Sequence, residues 1–396
     1  MRDLTKAGKI QLLGIIQEQH PDRCRLFAQW QQFDWPIVHD PINVIATRAV
    51  PVVLAIDEHG VVQSTRPRPD WVRNEFLKTD YPKPDETKSE DPETGQLTAS
   101  EMQALPNTLK AARSATVWGC NEYRLARKTG GKTRDAAKYF NKAIAAYDAV
   151  LRNEPKNAVA HFGRGVALRM RYESPLRQSS DFQAAVDAWG MALEIDPNHY
   201  IYRRRIEQYG PRLMKPYPFY DWVAQARKDI KARGEEPVKL AVEPRGAELA
   251  KRDRSFDTDL TAKNPDAQGR INRDANGLIE VRSVTVPAKT KPGTTTRLHL
   301  QFEPTKDAHW NNESTAPQVW IEAPTGWEIQ RNLFELPQTN KPESKEVRSM
   351  EFETRLPRNA KDGIVKGFVL YHVCEEQDGT CMYLRKDFEV TVRVTK

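Results

Sequence analysis

The spacing of apolar side chains changes twice along this chain of 396 residues. Over residues 1–79, short apolar runs alternate with amphipathic stretches. Ile10 to Ile16, Val52 to Ile56 and Val61 to Ser64 read as strands, the last two joined by the turn Asp57-Glu58-His59-Gly60. Arg23 to Gln32 and Pro69 to Leu77 read as helices. Residues 80–100 are charged and rich in proline, with almost nothing to bury, which makes them a linker by composition. Across residues 101–232, alanines and aromatics fall three and four apart, the helical spacing. Residues 233–276 form a second polar linker. From 277 to 396 the apolar positions alternate, as in Leu298-Leu300-Phe302 and Phe388-Val390-Val392-Val394, with turns such as Lys291-Pro292-Gly293 and Pro324-Thr325-Gly326 between runs. These are strands of an antiparallel β-sandwich. The predicted fold class is therefore multidomain: an α/β piece, an α-helical array and a C-terminal sandwich.

The helical stretch repeats itself. Ala143, Tyr147, Val150 and Pro155 recur at the same offsets, 42 residues later, as Ala185, Trp189, Ala192 and Pro197. Alanine suits a close approach of two helices, the aromatic fills the gap beside it, and proline stops the helix. The pattern resembles the tetratricopeptide repeat, although its period is longer and each hairpin must hold an extended loop, Lys128 to Thr133 and Tyr172 to Ser179. Two such repeats rarely bury enough apolar surface alone. Leu109 to Leu125 and Tyr217 to Ile230 are expected to pack at either end. The resemblance implies a groove for a peptide partner, and Arg164, Arg169 and Arg171 are the candidates to meet an acidic one. A spacer with a solvated basic surface is the other reading.

In the first piece, Trp35-Pro36-Ile37-Val38-His39-Asp40 is followed by Ala49-Val50-Pro51-Val52-Val53-Leu54-Ala55-Ile56-Asp57. Together these resemble the thioredoxin-like peroxiredoxin and thiol-disulfide oxidoreductase family, in which a cis proline precedes the closing strand hairpin. The resemblance implies that Pro51 is cis. It also implies a redox Cys-x-x-Cys at a helix N-terminus, where the dipole lowers the nucleophile's pKa. That pair is missing, so residues 1–79 read as a partial domain with apolar strand edges left uncovered. Either the natural chain starts upstream of Met1, or this is a decayed remnant docked on the helices. Cys24 reads as structural, with a reactive thiol or a metal pair with His20 as lesser alternatives. His39 and Asp40 read as structural too.

At the C-terminus, Tyr371-His372-Val373-Cys374 and Cys381-Met382-Tyr383 flank a turn at Asp378-Gly379 in a hairpin. The flanking places the two Cβ atoms within bonding reach. Tyr-x-x-Cys, a short acidic loop, Gly-x-Cys and an alternating strand resemble the immunoglobulin-like N-terminal domain of the bacterial thiol:disulfide interchange protein DsbD. His309-Trp310-Asn311 and Trp320 through Pro324-Thr325-Gly326 add weaker landmarks. The resemblance implies that Cys381 exchanges with partner thiols and Cys374 is its buried mate. Met382-Tyr383-Leu384 stands where that family has prolines. Redox exchange, a hairpin staple and two unpaired thiols all remain open, and Glu375, Glu376 and Asp378 argue mildly for the staple.

Composition narrows the function. A net charge of +7, from 61 basic and 54 acidic side chains, is a weak case for nucleic acid. Tyr202-Arg203-Arg204-Arg205 reads as a solvated helix face. Four cysteines make no disulfide scaffold and no metal set, no cofactor is implied, and no apolar run is long enough for a membrane helix. Met1 to Ile16 lacks the form of a signal peptide. The expectation is an extracytoplasmic thiol-disulfide redox protein that works on protein thiols or disulfides, with catalysis left open because this chain carries no Cys-x-x-Cys. A non-catalytic scaffold with a structural disulfide is the alternative.

Overall fold

The computed structural model describes residues 1–48, 50–83, 107–129, 134–211, 222–243, 256–376 and 380–395. The protein is multidomain, with helices and β-sheets in two compact units. One holds Met1–Gln208 and Tyr220–Glu243, the other Tyr209–Phe219 and Pro244–Lys396. The 80–100 linker lies, beyond residue 83, outside the described residues, as do Lys132, Thr133 and the turn at Asp378-Gly379.

The first unit begins with α1 (Arg2–Lys6), β1 (Gly14–Ile16), α2 (Asp22–Gln31) and β2 (Ile37–His39). β1 and β2 pair in parallel from Gly14↔Ile37 to Ile16↔His39, with α2 as the crossover that parallel strands require. β3 (Ala55–Ile56) and β4 (Val62–Ser64) form a separate antiparallel pair, followed by α3 (Pro69–Asn74). All three predicted strands are longer than the observed ones, because a run is a strand only as far as it has a ladder partner. The uncovered faces are apolar: Ile15 lies opposite Val38, Ile56 opposite Val62, and all four are exposed. The Val50–Pro51 peptide is cis, and so is Val286–Pro287.

Six helices follow: α4 (Asn107–Thr129), α5 (Arg134–Asn153), α6 (Ala158–Tyr172), α7 (Asp181–Ile195), α8 (Tyr200–Tyr209) and α9 (Trp222–Ala232). α4 to α7 pack each on the next. Where they approach most closely, a glycine meets a ring. A Cβ at Gly119 would collide with Phe140, at Gly163 with Tyr147 and at Gly165 with the Trp189 indole. The repeated positions Ala143, Tyr147, Ala185, Trp189 and Ala192 are all fully buried. α9 does not serve as the expected closing helix of the array. It packs on α2, with Trp222 5.1 Å from Phe27 and stacked on Trp30 at 6.1 Å. The Trp30 indole N–H completes the contact by donating to Asp229, 2.8 Å.

The basic run Arg203-Arg204-Arg205 is not a solvated face. Arg205 is fully buried and donates to Gln19 Oε1 at 2.5 Å and to the Pro41 carbonyl at 2.9 Å. Arg204 lies 2.5 Å from Glu18, which also takes Gln208 and Arg23. Burial pushes the Glu18 carboxyl up, but Arg204, Arg23 and Arg205 outweigh it and hold it below its ordinary value. Unpaired, such a carboxylate would be expensive to bury. The polar composition of residues 17–23 thus serves to join the first piece to α8. The His39 Nε2–H donates to the Glu18 backbone carbonyl at 2.8 Å, and Asp40 accepts the Val44 N–H at 2.8 Å.

The second unit is built from two sheets. β5 (Ile279–Val286), β7 (Thr295–Pro304), β13 (Arg348–Arg355) and β10 (Glu328–Ile329) form one, in the order β10-β13-β7-β5. The other runs β11-β9-β14-β15-β6, from β11 (Leu333–Glu335), β9 (Gln318–Glu322), β14 (Gly363–Glu375), β15 (Cys381–Val394) and β6 (Lys289–Thr290). One edge of β14 carries β9 along 366–370 and then β8 (Ala308–Asn311) along 373–375, and β8 in turn pairs β12 (Glu343–Ser344). A single core of Leu298, Phe302 and Phe352 from one sheet and Val319, Val369 and Val390 from the other lies between them. Residues 256–276, within the predicted linker, belong to this unit. Leu260 N donates to Gln330 O at 2.8 Å, and buried Asp266 accepts from Arg385 at 2.7 Å. Composition alone hides such a segment, because carboxylates rather than apolar side chains hold it.

Candidate disulfide site on the outer sheet face

β14 and β15 run antiparallel over twelve pairs that end at Cys374↔Cys381. Their alternation sends Tyr371 and Val373 into the core, while His372 and Cys374 project from the opposite face. Glu375 N donates to Thr380 O at 3.0 Å, so the next pair inward, the cysteines, is a non-hydrogen-bonded one. That is the closer of the two ladder spacings, and their Cα atoms are 4.0 Å apart. The two are joined in a disulfide. The two residues differ in exposure: Cys374 is 2% exposed, whereas Cys381 is an exposed residue.

The charges around the pair are arranged, not merely acidic. Glu376 Oε1 lies 2.7 Å from Lys345 Nζ and 3.2 Å from His309 Nδ1, and these two hold its carboxyl below the ordinary value. Glu343 Oε1 is 3.5 Å from the other ring nitrogen of His309. Glu375 turns away and accepts from Asn276 at 3.2 Å. The acidic residues flanking the hairpin are therefore partly neutralised from within the chain by Lys345, which sequence reasoning missed together with the placement of His309. Their only signal in the sequence is alternation, which puts His309 on the polar face of its strand but does not say beside what. One ring further along, His372 stacks on Tyr383 at 4.5 Å.

The other candidates are placed elsewhere. Cys24 and Cys120 are free thiols. Burial, helped by Glu18, pushes Cys24 up to about 11, and burial pushes Cys120 up to about 12. Neither is an activated nucleophile. Pro51 is exposed and far in sequence from any cysteine pair. The three arginines assigned to a peptide partner are engaged internally. Arg164 lies 2.6 Å from Asp148. Arg169 is buried 2.8 Å from Glu173 and over the Phe182 ring. Arg171 is buried against Asp181, with contacts of 2.5 and 3.0 Å, and donates to Asn141 at 3.0 Å. An array of helices in contact buries the long stems of its inner arginines and must then supply their counter-ions.

Among the described residues, no cluster of three or more His, Cys, Asp or Glu side chains could hold a metal ion. Nor is any helix there long and apolar enough to cross a membrane. No family model matches the chain, and no curated protein matches it. Among solved structures it is similar to AvmM, which catalyses macrocyclization in alchivemycin A biosynthesis. The identity is 8% and the TM-score 0.18, over 31% of this chain and 90% of that one. The yeast GGA1 GAE domain matches at 13% identity and TM-score 0.17, over 28% of this chain and 90% of that one. The sporulation control protein Spo0M of Bacillus subtilis matches at 12% and 0.15, over 30% and 50%. At such TM-scores these likenesses assign neither a fold nor a function.

Proposed function

We propose that this chain is a thiol-disulfide exchange protein of an extracytoplasmic, oxidising compartment, with Cys381 as the sulfur that partners attack. The observation that carries the reading is the unequal exposure of the pair: one cysteine exposed at the end of the β14–β15 ladder, the other buried beside it. A partner thiolate attacks Cys381, a mixed disulfide forms, and Cys374 leaves as the thiolate. A second partner thiol then resolves the mixed disulfide, so the partner dithiol is oxidised and the pair is reduced by two electrons. The finer folds belong to the same reading. The βαβ unit with its hairpin and helix fits a partial thioredoxin-like domain. The glycine–aromatic contacts fit tetratricopeptide-like repeats that present protein partners. The two-sheet unit with its hairpin disulfide fits an immunoglobulin-like domain resembling the N-terminal domain of DsbD.

The test is a redox titration of the full chain against glutathione, with mass mapping of alkylated cysteines. An exchange site is reduced within the physiological range. Cys374→Ser then accumulates a mixed disulfide at Cys381, and Cys381→Ser accumulates far less at Cys374. A bond that stays closed below about −300 mV would leave a structural staple and a scaffold protein.

A further inference from the structure

The row that carries the disulfide continues past it. On the edge of β14 opposite β15, Cys374 is the ladder partner of His309. The bond from Glu376 N to Asp307 O, 2.9 Å, sets the same register two residues further along. Ladder partners project from one face with Cβ atoms about 5 Å apart, so His309 and Cys374 leave the sheet as neighbours on the side that carries the disulfide. His309 is nearly buried, with 12% of its side chain exposed. The charged groups against it are Glu343 from β12 and Glu376 just beyond β14, the latter held by Lys345, and His372 lies two residues before Cys374 on β14. Lys306 and Asp307 precede it on its own strand.

We propose that His309 is the proton donor and acceptor for Cys374, an inference that rests on the exchange reading above. When a partner thiolate attacks Cys381 Sγ, the partner–Cys381 bond forms and the Cys374–Cys381 bond breaks. The electron pair of that bond stays on Cys374. At 2% exposure this sulfur is too enclosed to draw its proton directly from solvent, and the adjacent imidazolium supplies it. In the opposite direction the neutral ring takes the Cys374 proton. The thiolate then attacks Cys381 in the mixed disulfide and expels the partner thiolate. Glu376, itself held by Lys345, orients the ring through Nδ1. A cation beside a thiolate favours the charged form, by one to three pK units at contact range.

The experiment starts from full-length protein carrying glutathione on Cys381 and follows its release by Cys374 across pH. His309→Gln should release glutathione roughly tenfold more slowly than wild type at neutral pH, the effect of about one pK unit on Cys374, and with an altered pH profile. In His309→Ala, added imidazole should restore part of the rate, which a purely structural role would not permit. A His309→Gln protein with the wild-type rate and pH profile, or a folded His309→Ala protein that imidazole does not rescue, overturns the inference and leaves exchange standing. A pair that glutathione never opens sinks the exchange reading itself.

Discussion

In the helical unit one set of ionic groups is turned inward: Arg171 on Asp181, Arg169 on Glu173, and Arg204 and Arg23, with Gln208, around Glu18. In the two-sheet unit the space between the layers is filled by aliphatic and aromatic side chains. There, His309, Lys345, Glu343 and Glu376 gather on the outer face beside the disulfide. The same residue types therefore carry different meanings. An ion pair inside packed helices is part of the architecture, because removing either partner strands a charge away from water. A charged row on an outer sheet face contributes little to stability and is free to handle protons.

The largest effect that would break this contrast is at Asp181. Asp181→Ala leaves Arg171 buried without its bidentate partner and should cost the helical unit about 3–5 kcal/mol in urea denaturation followed by far-UV dichroism. A loss under 1 kcal/mol would show that water reaches Arg171 and that the pair is peripheral. Next comes pH. Burial lowers His39 to about 4 and His20 well below its ordinary 6.5. Both are neutral in the fold, while the unfolded chain takes up their protons near pH 6.5. The unfolded state then binds more protons, so stability is full above about pH 6.5 and falls toward pH 4, for His39 by at most about 3 kcal/mol. His39→Gln should flatten part of that slope. An unfolding midpoint that holds steady through this window would contradict the burial of these rings.

Opening the hairpin should matter less. Replacing Cys374 and Cys381 together by alanine removes a crosslink over a short loop and should lower the stability of the sheet unit by about 2 kcal/mol, read by near-UV dichroism. The helical signal should not move, and a shift there would count against the separate roles drawn here. The smallest pair of effects has opposite signs. Gly165→Ala drives a methyl into the Trp189 indole and the Ala185 carbonyl and should cost about 1–3 kcal/mol. Gly190→Ala on the next helix meets nothing within 4 Å and should stabilise by about 0.5–1 kcal/mol through helix propensity. Equal responses at the two glycines would refute the close helix approach at Gly165.

Much of the fold can be read from the residues, and the reason is local. Alternation in Leu298-Leu300-Phe302 and the repeated Ala-Tyr and Ala-Trp spacings report one face of one element, and those faces are buried. Cys374 and Cys381 are close because a hairpin brings neighbours in sequence together. What could not be read is non-local. Trp222 is plainly a packing residue, yet nothing in its surroundings names Phe27 and Trp30 as its partners. His309 reaches Cys374 only because β8 takes the end of an edge that β9 occupies first. The arginines are hard to place from sequence for a different reason: arginine is usually exposed, and Arg169 and Arg171 are buried. The acidic residues at 173 and 181, one turn and one loop away, are the clue to that burial.

Glu18 has a consequence for the covalent chain. It belongs to the first piece of the unit, and it is gripped by Arg204 and Gln208 from α8. Arg113 of α4 adds to the grip by donating to the Val44 carbonyl at 3.1 Å, and Tyr200 N donates to the Arg48 carbonyl. The connection between residues 83 and 107 is thus not what keeps the pieces together. A protein cut there should behave as a split protein: two fragments that co-purify without a peptide bond between them and hold together less tightly when Glu18 loses its charge. Residues 1–83 made alone would keep Arg23 but lack Arg204 and Gln208 around the Glu18 carboxylate, so they should fold only when the remainder is supplied in trans.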